Sequence, residues 1–167
     1  TPSIADESTA ICSGDAFLVT PSSSSVSAAS DLFISEYVEG SSNNKYIEIF
    51  NGTGASVDLS DYRLRLYSNG GSTPSSDIIL SGALANSSTL VYSNSSATAY
   101  TGSSTANAAV GFNGDDAVAL YKISSSSFVD IFGRIGNDPG SAWSAGGNST
   151  VDKTLVRNSN ITGGVTA

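Results

Sequence analysis

Residues 31–67 read DLFISEYVEGSSNNKYIEIFNGTGASVDLSDYRLRLY, and this stretch decides the fold. Apolar and polar residues alternate with period two over 32–38, 46–50 and 63–67, and turns rich in Gly, Asn and Ser separate the runs. In the second run Ile47 and Ile49 share one face, with Tyr46, Glu48 and Phe50 on the other. In the third, Tyr62, Leu64 and Leu66 point inward and Arg63 and Arg65 outward. Phe50 breaks the simple rule, which predicts that the outer face of its strand is partly covered.

The same grammar continues downstream. Further strands are expected at 78–80, 89–93, 117–122, 128–133 and 154–157, with a short edge piece at 57–59. Asn51-Gly52, Asn69-Gly70-Gly71, Asn113-Gly114, Asp138-Pro139-Gly140 and Gly146-Gly147-Asn148 punctuate them as turns. Residues 105–110 are expected to form one helical turn, and nothing longer has helical periodicity. Many short strands at roughly ten-residue spacing indicate an all-β sandwich or barrel.

Residues 1–30 differ from the rest and read as an N-terminal arm and linker, with the sandwich domain over 31–167. Ala16, Phe17, Leu18 and Val19 form a β-prone run closed by Pro21, and residues 22–30 (SSSSVSAAS) are a Ser-rich linker. The run is either part of a solvated tether or an edge strand that joins its own sheet or a neighbour's.

Composition removes several function classes. The chain has no His and no Met, and Cys12 is its one cysteine. Without His there is no Ser-His-Asp triad, no HExxH zinc site and no imidazole base. A lone Cys forms neither an internal disulfide nor a zinc site. The net charge of −8 and seven scattered Lys and Arg leave no basic patch, so no nucleic-acid partner is expected. No run approaches the ~20 apolar residues of a membrane helix, so membrane insertion is not expected. Charged residues are only 13% of the chain, against about a quarter in an ordinary globular protein. A surface of hydroxyls and amides fits a secreted or extracellular cell-surface protein. Starting at Thr1 and lacking Met, the chain reads as a mature or excised piece of a secreted precursor.

The candidate sites are few. Asp115 and Asp116 follow Asn113-Gly114; their plain role is to cap turn amides, and their alternative role is calcium ligation, with Asn113 or Asp138 contributing. Calcium is the one cofactor considered, and weak or absent binding is expected. Glu36, Glu39 and Glu48 lie on or beside the first two strands, where Glu36 and Glu48 can meet across the hairpin. Like charges directly opposite are destabilising. They are therefore read as separately solvated or paired with Lys45 or Arg63, the alternatives being a calcium site or a glycosidase-like carboxylate pair. Trp143, the one tryptophan, is either a plug fixing its Gly/Ser loop or an exposed aromatic for a sugar or partner.

Taken in order, LFISE (32–36), YIEIFN (46–51) and VDLSDYRL (57–64) resemble the core motifs of the lamin-tail domain, an ISE strand followed by IEIYN and VDLSGW.L. FNGDDAVAL (112–120), the 129–143 segment with its Asp-Pro-Gly-Ser turn, and TLVR (154–157) are similar to the bacterial branch of that family. Asp61 and Tyr62 depart from it, standing where Gly and an aromatic are common. The resemblance implies an immunoglobulin-like antiparallel β-sandwich that is not itself catalytic. The arm, ICSGDAF (11–17) then Val19-Thr20-Pro21, resembles the opening of immunoglobulin-like repeats in bacterial surface adhesins. The function expected is an adhesion or assembly module, with protein partners or self-association through the arm. Two other functions stay open: an accessory domain tethering a secreted nuclease or phosphatase to substrate, and a fibre subunit joined by its N-terminal strand.

Overall fold

The alternating runs fold as antiparallel strands in the computed structural model, which describes residues 28–166. In chain order they are β1 (Phe33–Glu39), β2 (Lys45–Asn51), β3 (Val57–Asp58), β4 (Tyr62–Tyr67), β5 (Ser76–Ile79), β6 (Ala83–Leu84) and β7 (Ser88–Ser93). Then come β8 (Thr105–Ala106), β9 (Ala117–Lys122), β10 (Ser127–Phe132), β11 (Ser144–Ala145), β12 (Asn148–Ser149) and β13 (Lys153–Val156). One sheet has the order β13-β1-β2-β7-β8 and the other β10-β9-β4-β5. The small pairs β3-β6 and β11-β12 decorate their rims. This is an immunoglobulin-like antiparallel β-sandwich.

The expected faces are the observed ones. Ile47 and Ile49 of one sheet are buried with Tyr62, Leu64 and Leu66 of the other. Phe50 points outward and is covered by Phe33, edge-to-face at 5.5 Å. At the centre, Tyr37 is stacked between Phe132 (3.9 Å) and Phe112 (4.6 Å). Each such pair contributes about 0.5–1.5 kcal/mol beyond the area it buries. Burial pushes the Tyr37 phenol far above its ordinary pKa, so it stays a donor, to the Asn113 carbonyl at 3.3 Å.

Two elements differ from expectation. Leu59 is not strand but opens a single 3-10 turn, Leu59–Asp61, because Asp58 caps the Ser60 amide at 2.9 Å and drops Leu59 into the core. Residues 105–110 do not form one turn. Thr105–Ala106 pair in parallel with Tyr92 and Ser93, and only Asn107–Val110 turns, with the Asn107 side chain accepting from Ala109. A two-residue edge strand is too short to show a period.

The sheets are tied at one edge by Asp130, which is fully buried on β10. One carboxylate oxygen accepts from the Ile34 amide of β1 at 2.8 Å. The other accepts from the Val165 amide at 2.9 Å, and Arg157 engages both oxygens at 2.7 and 2.9 Å. Arg157 also donates through Nε to the Ile34 carbonyl at 2.7 Å. Both facing strands carry a register irregularity here, between Ile34 and Glu36 and between Phe128 and Asp130. A bulge frees backbone groups from the ladder and re-aims a side chain, which is what this bridge requires.

Arg157→Ala is expected to lower unfolding stability by about 3–5 kcal/mol, the loss typical of stranding a buried charge. Urea denaturation measures it; a loss under about 1 kcal/mol means that Asp130 is held by its backbone donors alone.

Candidate functional site

Three places on the sandwich carry the residues singled out from the sequence, and a fourth lies outside the described residues. That fourth is the β-prone run Ala16, Phe17, Leu18 and Val19, together with Cys12.

The Asn113–Asp116 turn joins the core to β9. Asp116 is committed to structure: its oxygens accept from the Asn69 amide at 2.9 Å and the Asn113 amide at 3.0 Å. Asn113 gives its carbonyl to Tyr37 and to the Asp116 amide. Asp115 is different. It is buried, and its Oδ1 has no hydrogen-bond partner among the described residues. Burial raises its pKa above the ordinary carboxylate value, and Asp116 and Asp138 add to the rise by repulsion. Among the described residues no three His, Cys, Asp or Glu side chains come together as a metal-holding group.

Trp143 is half-buried against the same turn. Its indole N–H donates to the Asp116 carbonyl at 2.8 Å, and its amide donates to the Gly114 carbonyl at 3.1 Å. The ring lies over Gly133, whose φ is +81°; a Cβ there would stand 2.8 Å from the indole nitrogen. The tryptophan thus fixes the hairpin β11–β12 to the sandwich. Its outer side lines a groove of about 600 Å³ with Phe132, Arg134, Asn148 and Leu155. Trp143 is both the plug and part of the wall of this concavity.

The glutamates on the hairpin are sorted by the register. Glu39 faces Lys45 and forms a buried ion pair with it, while Glu36 stands directly opposite Glu48. Arg63 is not available to either, because it shares Asp77 with Arg65 at 3.2 Å each. Glu48 accepts from the Ser35 hydroxyl at 2.7 Å. The Glu36 pKa is raised, mainly by burial and then by Glu48. The sequence allowed this pairing; what it did not show is that the loop at 97–100 folds over it. That loop is held by Asn44 and the Tyr46 hydroxyl, contacts far apart in the chain.

Comparison with known proteins places this framework. A family model described as Lamin Tail Domain matches residues 25–136, the span that includes β1 to β10. No curated protein and no solved structure matches the chain significantly. Trp143, the β11–β12 hairpin and Arg157 fall beyond the matched span, while Phe132 and Arg134 of the Trp143 groove lie within it. With two thirds of its length matched, and with the sandwich that the match implies, the chain belongs to the lamin tail domain family of non-catalytic immunoglobulin-like domains.

Proposed function

We propose that this domain is a non-catalytic adhesion or assembly module of a bacterial secreted or cell-surface protein, acting through protein–protein or surface contacts. The observation that carries the reading is membership of an immunoglobulin-like interaction family. A chain without a single His and with 13% charged residues supports it. Its surface offers Ser, Thr and Asn hydroxyls and amides, which suit extracellular contacts better than an ionic cytosolic surface.

The edges of the sheets favour assembly through the arm over a purely tethering role. The β10 edge is covered, since the Ile131 amide donates to the Val165 carbonyl at 2.7 Å. The β8 edge is two residues long. β5 and β13 each offer four residues at an outer edge, with Ile79 and Val156 exposed beside them. The arm's β-prone run also has four residues, and an unpaired strand of that length has no stability by itself. The linker expected over 22–30 ends sooner, because the Ala29 and Ser30 amides are bonded to the Gly52 and Thr162 carbonyls at 2.9 and 3.1 Å. Residues 20–28, between the run and Ala29, could still span roughly 30 Å if extended, enough for an edge of this sandwich or of a neighbour. Pairing with a neighbour, without closure, makes a fibre. An accessory domain of a secreted hydrolase is the competing class, and a catalytic domain on the same polypeptide would favour it.

Deleting residues 1–27 tests the assembly reading while keeping Ala29, whose amide bonds the Gly52 carbonyl at 2.9 Å. The truncated chain is expected to lose self-association in sedimentation if the arm serves a neighbour, or to melt earlier if it serves its own sheet. An unchanged oligomeric state and melting temperature make the arm a tether only.

At the Asn113–Asp116 turn, Asp115 is the carboxylate with an oxygen left for a hard cation such as calcium, which we expect to bind weakly or not at all. Asp115→Asn is expected to raise the melting temperature at pH 7 by about 2 °C or more. The sign follows from the raised pKa: the protonated form suits the fold, so the native state loses relative stability as pH rises through the folded pKa. The gain should fade toward pH 3. A calcium-dependent rise in the wild type that Asp115→Asn abolishes would instead establish a cation seat.

A further inference from the structure

We propose that the outer face of the five-stranded sheet carries a docking groove for an arginine side chain presented by a partner protein. The proposal rests on the interaction-module reading and names the chemistry that such a surface recognises. Glu36, Val38, Tyr46, Glu48, Val91 and Tyr100 line a cavity of about 270 Å³. That volume takes one long side chain rather than a helix or strand.

Its walls are built before any ligand arrives. The Tyr46 hydroxyl accepts from the amides of Ala99 and Tyr100, at 3.1 and 2.9 Å. Asn44 Oδ1 accepts from Thr98 and Ala99, both at 2.9 Å. These bonds pin the loop so that Tyr100 stands edge-to-face with Tyr46 at 5.7 Å, with 48% of its surface exposed. Ser35 orients Glu48 at 2.7 Å. Preorganised walls reduce the ordering cost of binding.

The chemistry of the occupant follows from charge. Glu36 and Glu48 face each other across the hairpin, flanked by Val156 and Val91 in the same row. No cation of the described residues answers them. Lys45, Arg63, Arg65, Lys122 and Arg157 are paired with Glu39, Asp77, Asp77, Asp31 and Asp130. Lys153 is in register with Glu39, not Glu36, and Arg134 lies at the Trp143 groove. The arm is no candidate: residues 1–27 hold Asp6, Glu7 and Asp15 and no Lys or Arg. A guanidinium meets every feature of the groove. Its fork engages two carboxylates, its flat face stacks on a tyrosine, and its methylene stem packs on valine.

The test is an NMR titration of the full chain with the peptide acetyl-Gly-Ser-Arg-Ser-Gly-amide, beside the same peptide carrying neutral citrulline. The arginine peptide is expected to bind with Kd on the order of 1 mM and to shift the amides of Glu36, Val38, Glu48, Val91 and Tyr100. Citrulline in its place, or E36Q/E48Q in the protein, should weaken binding about tenfold or more. Tyr100→Ala should weaken it too, while Asp138→Asn, which removes a charge elsewhere, should not. E36Q/E48Q should fold at least as stably as the wild type, because it relieves a facing like-charge pair. Equal binding by E36Q/E48Q, equal binding of citrulline, shifts spread over the whole acidic surface, or no binding at 20-fold higher concentration than about 1 mM overturns the proposal. Self-association lost in Arg134→Gln or Lys153→Gln with these same shifts would put a second copy in the groove and overturn the assignment to a partner. Arm deletion leaves the groove intact, so failure here and failure of the assembly reading are separate results.

Discussion

A buried carboxylate holds this sandwich shut. Asp130 has no solvent exposure, and it joins β10, β1, Arg157 beyond β13, and the C-terminal Val165 at one point. An isolated charge in that position would be costly. Four contacts from Arg157 and two backbone amides satisfy both oxygens. The bulges in β1 and β10 exist where they make that bridge possible. The aromatic stack Phe112–Tyr37–Phe132 packs beside it, and Phe132 follows Asp130 by two residues on the same strand.

Charge placement then separates fold from surface. Most of the few cations are spent inside the framework: Lys122 ties Asp31 at the head of β1 to β9, and Arg63 and Arg65 of β4 share Asp77 of β5. Arg65 also lies over the Tyr121 ring at 3.8 Å. Acidic groups outnumber them, so the carboxylates left over set the character of the outer faces. Glu36 and Asp115 have their pKa pushed up, first by burial and then by a neighbouring carboxylate, Glu48 beside the one and Asp116 and Asp138 beside the other. A module that keeps unneutralised carboxylates at concave, tyrosine-lined or turn positions is suited to meeting cationic groups from outside.

Much of the fold was legible because period-two alternation reports one buried face directly. Ile47, Ile49, Leu64 and Leu66 announce their strands, and Phe50 announces the cover over its own. The motif VDLSD was legible as a family mark, while its physics was not. Asp58 caps the turn, and Asp61 accepts from the Ser124 amide and hydroxyl at 2.8 and 2.5 Å. Short rim strands such as Ala83–Leu84 and Asn148–Ser149 carry no period at two residues. The candidate sites were less legible than the fold, because they join residues far apart in sequence. Nothing local shows that Tyr46 holds residues 99–100, or that Asp130 waits for Arg157. The Asp115–Asp116 pair was visible as two adjacent acids; only the structure separates the committed Asp116 from Asp115, whose Oδ1 has no partner among the described residues.

Native-state hydrogen exchange at the Ile34 and Val165 amides tests the keystone role of Asp130 most directly, since both donate to its carboxylate. If the bridge closes the sandwich, the two amides exchange together, with an opening free energy within about 1 kcal/mol of global unfolding. Exchange of Ile34 through a small local opening, while the β2 and β9 amides stay protected, would contradict the account.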